Sequence, residues 1–471
     1  MSEAVDATRG ALSGERAWLV GGAIRDRLLG RRAPAELDDL DVVVAGDTAA
    51  AAKRLARVGR ATAFSLSDAF GAWRVVAPGG GWQVDLTPLA SSTIEGDLAL
   101  RDFTVNAIAE PLGGGDAIDP FDGRADIAAR RLRMVSRGAF EADPLRTLRL
   151  ARLACELELA IDEDTAAAAR ADAERIEAVA AERVFAELKR IVVADSALRG
   201  LALVDDLALT ERVLPELAAL RDVQQSDFHH LDVYDHTLAT LAQLIELERD
   251  PAAVLGEHAD AVAALLAEPL ADELTRAGAL RFGALLHDAA KPATRGVAPS
   301  GRVTFFDHHA RGAELAYAAL GRLRASERLR AHVAALTRHH LRLGFLVHER
   351  PLSRRAVFRY LSASEPVGVD VTVLSIADRL ATRGRNADAA IAAHLELGRE
   401  LLGEALRWRA EGRAASLLRG DELSAELEIP PGPRIGALLA ELEEAQFAGE
   451  ITTPAQALAR ARELVESERT A

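Results

Sequence analysis

Two glycines and a nearby arginine are the first residues of the chain whose types and spacing suggest chemistry. Gly21 and Gly22 end an apolar run and open a short helix that carries Arg25 and Asp26 in its first turns. Because glycine has no side chain, the backbone can approach a ligand closely, and the N–H groups that open a helix favour anions. Arg25 adds a guanidinium that matches phosphate. The stretch predicts a site for nucleotide phosphates.

Three acidic residues on predicted strands suggest a metal site. Asp39 and Asp41 flank Leu40 in a β-branched apolar run typical of a buried strand. Side chains alternate along a strand, so the two carboxylates share one face and need a cation. With Asp85, from another strand-like run, they suit two divalent ions about 4 Å apart, and oxygen ligands favour Mg²⁺. The alternative is that the glycines only turn the chain, Asp39 caps a strand and Asp85 is an edge-strand charge.

Composition limits the class of protein. The chain has 471 residues, 49% of them hydrophobic, which predicts two to four domains with ample core. The single cysteine, Cys155, excludes a disulfide within the chain. The first residues lack the apolar core of a signal peptide, and no apolar run is long enough for a bilayer, so we expect a cytoplasmic protein without membrane contact. The sequence leaves the oligomeric state open.

The formal net charge of −15 argues against a surface coated for nucleic acid, although it leaves room for a local basic lane. Up to about residue 140, short strand-like runs alternate with glycine-rich turns, which indicates an α+β domain. The periodicity then becomes helical, with amphipathic helices predicted at residues 146–159, 166–193 and 198–209. Residues 249–276 are acidic and alanine-rich, and are interpreted as an insertion or flexible excursion.

The N-terminal third resembles the class II tRNA nucleotidyltransferase and bacterial poly(A) polymerase family. The resemblance rests on the order of several motifs, each weak alone: LVGGAIRD at 19–26, DLD at 39–41, DLALRDFTVNAIA at 97–109, DPFDGR at 119–124, ADPLRTLR at 142–149 and AERVFAELKRI at 181–191. Together they imply transfer of nucleotides to an RNA 3′ end.

The resemblance also implies residue roles. The residues implied to bind the nucleotide are Gly21, Gly22, Arg25, Asp26, Arg101, Asp102, Asp143, Arg146 and Arg149. Those implied to be catalytic are Asp39, Asp41 and Asp85, of which Asp39 and Asp41 hold Mg²⁺. Asp102 would contact the ribose 2′-hydroxyl, and Asp143 with Arg146 would present a fixed edge to the incoming base. A site that hydrogen-bonds a base edge rejects analogues that leave its polar groups unpaired, so the protein itself selects the base.

Three positions depart from the family pattern. Leu100 stands where the family usually has an arginine, Ala142 where it usually has a glutamate, and Ala90 where relatives often carry an arginine. None of the three removes a metal ligand or the Asp143 and Arg146 pair. We therefore expect activity, with the identity of the added bases left open.

All 12 histidines lie at or after His229, which marks a second chemical centre. This region resembles an HD-type phosphohydrolase domain, with ligands in the order His236, His287, Asp288 and Asp378. Imidazole and carboxylate are ordinary ligands of divalent ions, so an unidentified divalent metal is implied. His308 and His340 would complete a second metal position. The histidines interpreted as packed or solvent-facing are His229, His258, His332, His348 and His394.

The predicted fold is α+β, with an N-terminal nucleotidyltransferase mixed sheet and helices followed by an all-α neck, an all-α HD domain and a helical tail. The predicted boundaries are 1–140 for the nucleotidyltransferase domain, 141–222 for a neck that selects bases and binds RNA, 223–400 for the HD domain, and 401–471 for the C-terminal helical segment.

The predicted function is template-independent addition of CMP and/or AMP, from CTP and ATP, to the 3′ end of tRNA by a two-metal mechanism. A tRNA 3′ end or another RNA 3′ end and nucleoside triphosphates are the predicted partners. One alternative is addition of A only, or poly(A) synthesis. The other is an HD phosphatase or cyclic phosphodiesterase with a non-catalytic RNA-binding N-terminal domain, and the HD metal could also serve folding alone.

Overall fold

The computed structural model describes residues 2–225, 231–383 and 387–470. The chain forms two compact units, Met1–Val213 and Leu214–Ala471, which are described separately. His229 lies outside the described residues. No helix in the described part of the chain is both long and apolar enough to cross a bilayer.

A six-stranded mixed sheet forms the framework of the first unit. Its strands are β1 Ala17–Val20, β2 Asp39–Val44, β3 Thr62–Ser67, β4 Ala72–Val76, β5 Gln83–Pro88 and β6 Ala109–Pro111. They lie in the order β3-β4-β5-β2-β1-β6, and β2 and β5 are parallel while the other neighbours are antiparallel. Val42 and Val43 are buried in β2, which anchors the strand that carries the acids. The predicted mixed sheet is confirmed.

Helices surround this sheet and continue beyond it. They are α1 Glu3–Ala11, α2 Gly22–Leu28, α3 Thr48–Val58, α4 Ile94–Leu98, α5 Gly123–Ala128, α6 Ala139–Ala142, α7 Leu145–Glu156, α8 Glu163–Ala171, α9 Ala181–Val193, α10 Ala197–Asp206 and α11 Thr210–Val213. A short parallel pair joins β7 Arg131–Leu132 to β8 Ala160–Ile161. The helix predicted over 166–193 is in fact two helices separated by a 3-10 turn at Ala173–Ala178, because burial of Ala173 and Ile176 tightens the chain there.

The second unit is mainly helical, as predicted. Its helices are α12 Pro215–Ala218, α13 Val233–Arg249, α14 Pro251–Leu255, α15 Ala259–Leu266, α16 Arg276–Leu286, α17 Lys291–Thr294, α18 His308–Arg322, α19 Glu327–His339, α20 Arg342–Leu346, α21 Arg354–Ser364, α22 Gly368–Ala381, α23 Ala387–Glu411, α24 Gly420–Leu427, α25 Pro433–Phe447 and α26 Pro454–Thr470. Two small antiparallel ribbons pair β9 Pro269–Ala271 with β10 Leu274–Thr275, and β11 Arg295–Val297 with β12 Val303–Phe305.

Helices α13, α16, α19 and α22 pack together and carry the core of this unit, which includes the buried Leu241, Leu280, Val333 and Leu374. The interpretation of residues 249–276 as a flexible excursion is wrong. This segment contains α14, α15 and the first ribbon, and apolar side chains such as Val262 are buried.

The C-terminal helices α24, α25 and α26 enclose a small core of their own. Its buried members include Leu423, Leu438, Leu442 and Ala461. Helix α23 runs through the predicted boundary at 400/401, and Leu401 and Leu402 are buried on it. The tail is therefore a packed module that is joined to the preceding region by one continuous helix.

Candidate functional site

Strand β2 presents Asp39 and Asp41 on its exposed face, because the buried Leu40 alternates with them. The parallel register places Asp41 beside Asp85 on β5. Asp39 lies beside Gln83, whose Nε2 donates a hydrogen bond of 2.9 Å to the carboxylate. The three predicted acids are therefore neighbours in the sheet.

The turn before α2 brings two further groups to Asp41. Gly21 has φ +75°, and a Cβ at this position would lie 2.9 Å from Asp41 Oδ2 and 3.5 Å from Arg101 Nη1. A side chain here would collide with the carboxylate, so glycine is required by both its backbone and its surroundings. Gly21 lets Asp41 and Arg101 approach the same point.

Desolvation, together with the negative charges of Asp85 and Asp39, raises the pKa of Asp41 to about 6, although Arg101 and Arg25 oppose the rise. A carboxylate under this electrostatic pressure is stabilised by a cation. Asp39 and Asp41 supply the carboxylate oxygens that Mg²⁺ takes together with substrate phosphates. The donor set fits a divalent ion on this exposed face of β2.

Asp85 is occupied by a partner that sequence reasoning missed. Arg74, opposite Asp85 on β4, donates from Nε to Oδ1 at 2.7 Å and from Nη2 to Oδ2 at 2.8 Å. The hydrogen bond to Asp85 raises the pKa of Arg74. In this arrangement the Asp85 carboxylate balances an arginine charge, whereas the Asp39 carboxylate accepts from a neutral amide. The pairing could be found only from the strand register.

Asn106 connects the predicted phosphate and ribose contacts. Arg25 donates from Nη1 to Asn106 Oδ1 at 2.7 Å and from Nε to Asp26 Oδ1 at 2.8 Å. Asn106 Nδ2 in turn donates to Asp102 Oδ1 at 3.0 Å. An amide can accept and donate at once, so one side chain fixes both neighbours. Asn106 lies within the motif at 97–109, but sequence reasoning gave it no role.

From Asp102, alternating charges continue along α7 and α9. We call this chain of contacts the charge ladder, and its members are Asp102, Arg149, Glu187, Arg152, Glu156 and Arg190. Arg149 donates to Asp102 at 3.4 Å and to Glu187 at 3.0 Å. Although burial opposes it, these two carboxylates raise the pKa of Arg149. The ladder fixes Arg149 beside the predicted ribose contact.

The predicted base-reading residues have different partners. Asp143 is the C-cap residue that follows α6, and its carboxylate accepts a 2.8 Å hydrogen bond from Arg183 Nη2. Arg146, in the first turn of α7, donates to the carbonyls of Leu100, Arg101 and Ala139. In the described part of the chain, no hydrogen bond joins the Asp143 carboxylate to the Arg146 guanidinium. Arg183 lies in the motif at 181–191 and was not predicted.

The three departures from the family pattern lie around this region. Leu100 is 57% exposed, and its carbonyl accepts a hydrogen bond from Arg146. The Ala90 amide donates to Asp97, and Ala142 is the last residue of α6. None of these three positions is one of the strand acids Asp39, Asp41 and Asp85.

All six predicted ligands of the histidine centre meet within the second unit. Their ligand atoms form two groups, and within each group the atoms lie within 4.8 Å of one another. The groups are His236, His287 and Asp378, and Asp288, His308 and His340. Within the described ranges, these are the sets of three or more such side chains that could hold a metal ion.

The backbone orients three of these rings. Nδ1 of His287, His308 and His340 lies 2.8, 2.7 and 2.7 Å from the carbonyl oxygens of Ala284, Phe305 and Thr337. With the proton on Nδ1, each ring donates to its carbonyl and turns Nε2 toward the centre. This is the arrangement of a metal-binding imidazole.

Several buried side-chain atoms at the centre lack hydrogen-bond partners, and a bound metal ion would give them one. They are Nε2 of His287 and His308 and both oxygens of Asp288, although Lys291 Nζ lies 2.6 Å from Asp288 Oδ2 without hydrogen-bond geometry. Burial, together with the charge of His287, lowers the pKa of His340 to about 3, so this imidazole is neutral, as a ligand must be. The residues fit one or two divalent ions.

A cavity of about 230 Å³ opens onto this centre, and its wall includes His340 and Asp378. Arg379, His348 and His394 also line it. The histidines interpreted as packed or solvent-facing fall into two groups. His348 and His394 line the cavity. His332 lies 3.5 Å from the buried Asp370, and His258 lies within 4.0 Å of Glu257.

Arginines and histidines crowd the outer side of the centre. Burial, together with the positive charges of Arg342 and Arg338, lowers the pKa of His339 to about 4. Burial also lowers the pKa of His309. The same two arginines act in the same direction, and the negative charge of Asp307 opposes them. A concentration of positive charge therefore lies beside the metal-binding groups.

Family models match three parts of the chain. They are described as "Poly A polymerase head domain" for residues 82–133, "Probable RNA and SrmB- binding site of polymerase A" for 158–220, and "HD domain" for 233–383. The first and last coincide with the acid-bearing strand β5 and with the histidine centre.

Curated relatives are similar over nearly the whole chain. An A-adding tRNA nucleotidyltransferase from Deinococcus radiodurans is 36% identical over 94% of this chain and 94% of its own. A CC-adding tRNA nucleotidyltransferase from Thermus thermophilus is 34% identical over 94% and 92%. A solved complex of a CCA-adding enzyme with ATP has a TM-score of 0.64 at 18% identity, covering 98% of this chain and 95% of that one, which shows a shared fold.

Proposed function

This chain belongs to the tRNA nucleotidyltransferase family, and from that membership we propose that it adds CMP and/or AMP, from CTP and ATP, to the 3′ end of tRNA without a nucleic-acid template. The observation that carries the proposal is the convergence of Asp41, Gly21 and Arg101 on the exposed face of β2, beside Asp39. Similar relatives that add A and that add CC support nucleotide transfer to tRNA without deciding between these bases.

The residues around Asp41 have distinct parts in this proposal. Asp39 and Asp41 hold Mg²⁺, which supplies Lewis-acid stabilisation of charge on the reacting phosphate. Arg25, fixed by Asn106 and Asp26, binds the triphosphate. Asp102 accepts a hydrogen bond from the ribose 2′-hydroxyl while Arg149 fixes it from behind. Positioning and charge stabilisation carry such transfers.

Base selection is assigned to the surroundings of Arg146. Asp143, with Arg183 on its carboxylate, presents an acceptor, and Arg146 presents donors. In the structure Arg146 is engaged by main-chain carbonyls, so reading a base requires it to exchange at least one of these for the nucleotide. Supplying one nucleotide at a time to tRNAs that lack one, two or three terminal residues would identify the bases added.

The central test replaces both metal-facing acids. Asp39→Asn with Asp41→Asn should lower incorporation of labelled nucleotide into tRNA by roughly 1,000-fold or more, because charge stabilisation of the phosphate is lost. Asp38→Asn is the matched control, since Asp38 is adjacent and exposed but pairs with Arg32. Incorporation by the double variant at the rate of the control would refute the proposal.

A second function is supported by the unpartnered buried atoms of the histidine centre. We propose that His236, His287, Asp288 and Asp378 bind a divalent metal of unidentified type, with His308 and His340 completing a second position, and that the centre hydrolyses phosphoesters. His287→Ala with Asp288→Ala should abolish both metal content, measured by mass spectrometry, and hydrolysis of phosphomonoesters or 2′,3′-cyclic phosphates. His258→Ala is the control. If the wild-type protein holds the metal but hydrolyses none of these substrates, the metal serves folding and the hydrolytic proposal is refuted.

We also propose that the four functional parts of the chain follow the predicted boundaries, 1–140, 141–222, 223–400 and 401–471. Two physical features bear on this division. The two compact units part at 213/214, and α23 crosses 400/401 without a break.

A further inference from the structure

Unpaired arginines surround the histidine centre. Arg295, Arg311, Arg338 and Arg342, which we call the arginine rim, are exposed, and none forms an ion pair with a carboxylate anywhere in residues 2–225, 231–383 or 387–470. Arginines elsewhere in this unit are commonly paired, for example Arg322 with Glu216, Arg350 with Glu396, Arg354 with Glu404, and Arg434 with Glu468. In a chain of net charge −15, unpaired cations gathered in one place indicate an anionic ligand.

Helix packing places the rim around the metal-binding groups. Helix α18 begins at His308 and α19 ends at His339, and the rings of His308 and His340 lie 5.4 Å apart. Arg311 lies three residues after His308, while Arg338 and Arg342 lie two residues to either side of His340. Arg342 Nε donates to His339 Nδ1 at 2.9 Å. These three cations therefore flank the centre from α18, α19 and the start of α20.

The ribbon contributes the fourth cation. Arg295 is directly opposite Phe305 in the β11–β12 pair, so their side chains share one face. The Phe305 ring lies 6.4 Å from that of His308. An acidic group near the rim is Asp307, 4.0 Å from His309. The four rim cations thus come from four separate elements, β11, α18, α19 and α20.

Two large aromatic side chains project from the same region. Phe306 is 79% exposed and lies two residues before His308, and Phe345 is 66% exposed and lies five residues after His340. Exposed rings interspersed with cations are the usual surface for single-stranded nucleic acid, because bases stack on the rings and phosphates meet the cations.

The cavity beside the centre supplies a place for a chain end. Arg379 lines it next to Asp378, and its Nε is buried without a hydrogen-bond partner. A buried guanidinium N–H without an acceptor is costly and is satisfied by an incoming oxygen anion.

We propose that the arginine rim, with Phe306 and Phe345, binds a single-stranded RNA end and directs its terminal phosphate past Arg379 toward the histidine centre. Backbone phosphates lie on the rim and bases stack on the two exposed rings. The fate of the terminal phosphate rests on the proposed hydrolytic activity of the centre, but the binding does not.

The test uses the full-length protein and a short 5-iodouridine RNA that ends in a 3′-phosphate, which cannot be extended. Irradiation should crosslink it to peptides that contain Phe306 or Phe345. Arg338→Gln with Arg342→Gln should lower this crosslinking about tenfold and reduce the slope of log affinity against log salt by about 1.4, the value expected for two phosphate contacts on a single strand. The matched control is Arg350→Gln with Arg354→Gln, which removes the same charge from two arginines that are paired with glutamates. This control should change the crosslinking by less than about twofold.

Two further variants keep the outcome decisive. Arg338→Lys with Arg342→Lys, which retains the charge, should restore most of the crosslinking, and all variants should melt with the wild type. Absence of crosslinks from these peptides in the wild type, or equal losses in the rim and control variants, would overturn the proposal. Nucleotide addition to tRNA and phosphoester hydrolysis are assayed in parallel, so failure of either proposed activity is distinguishable from failure of RNA binding.

Discussion

Asp41 is under opposing electrostatic influences, with two neighbouring carboxylates on one side and Arg101 and Arg25 on the other. Its raised pKa means that the folded state holds a proton more tightly than the unfolded chain does. The neutral carboxyl therefore contributes stability that is fully present below its ordinary value of 3.8 and is lost as the pH rises to about 6. The ionised Asp41 carboxylate therefore destabilises the folded protein when no metal ion is bound beside it.

Asp41→Asn tests this balance. Without divalent ions, the variant should unfold near the wild-type temperature at about pH 4 and at a higher temperature above about pH 6, because only the wild type then carries the crowded charge. The measurement is the unfolding temperature of the first unit across this pH range. Asp38→Asn should show no such rise, and a constant difference between Asp41→Asn and wild type at every pH would contradict the assignment.

At this scale, sequence reasoning succeeded where one local rule was enough. Strand alternation placed Asp39 and Asp41 on one face, and the structure has them there. It missed Arg74 and Asn106, whose partners lie 11 and 81 residues away. Those contacts depend on strand pairing and on the position of α2, which no short sequence window contains.

Among the elements, the turn between β1 and α2 carries the strictest requirement. Gly21→Ala should lower nucleotide addition about tenfold or more, since the new methyl group would displace the Asp41 carboxylate 2.9 Å away. Gly30→Ala is the matched control, because Gly30 also has positive φ, +70°, but nothing lies within 4 Å of a Cβ there. Both variants should lose about 1–2 kcal/mol of stability. Equal activity in the two would show that the close approach is unimportant.

The sequence predicted the ends of helices and strands only where a local pattern of residues marks them. The strand predicted around Leu40 is β2, Asp39–Val44, whose apolar run shows in the sequence. The break between α8 and α9 has no glycine or proline to announce it, and is set by burial of Ile176. Alanine-rich residues 249–276 were read as mobile from composition, although Val262 and Leu265 bury the apolar side of α15.

For the whole molecule, the two proposed metal sites should differ in their consequence for folding. The acids on β2 are exposed, whereas the histidine centre is enclosed by the helices that carry the core of the second unit. A metal bound only by the folded state stabilises it by mass action, about 4 kcal/mol when its concentration is about 1,000 times Kd. Stability of the second unit should therefore depend on metal more than that of the first.

Chelation tests this difference. Treatment with a strong chelator should lower the unfolding temperature of the second unit by roughly 10 °C and leave the first unit nearly unchanged. Hydrogen exchange of peptides from α13, α16 and α22, compared with β2 and β5, assigns the effect to each unit. His287→Ala with Asp288→Ala should make the protein insensitive to chelator. Equal sensitivity of both units would contradict the prediction.

The charge ladder also restricts how this sequence can change during evolution. Glu187 is shared by Arg149 and Arg152, which lie 38 and 35 residues away, and both it and Arg152 are buried. Reversing the charge of Glu187 would remove a partner from both arginines, in surroundings where an uncompensated ion is costly. Lineages can therefore alter these positions only in compensating sets, and the pairing of α7 with α9 should persist as a covarying unit even where the surrounding residues drift.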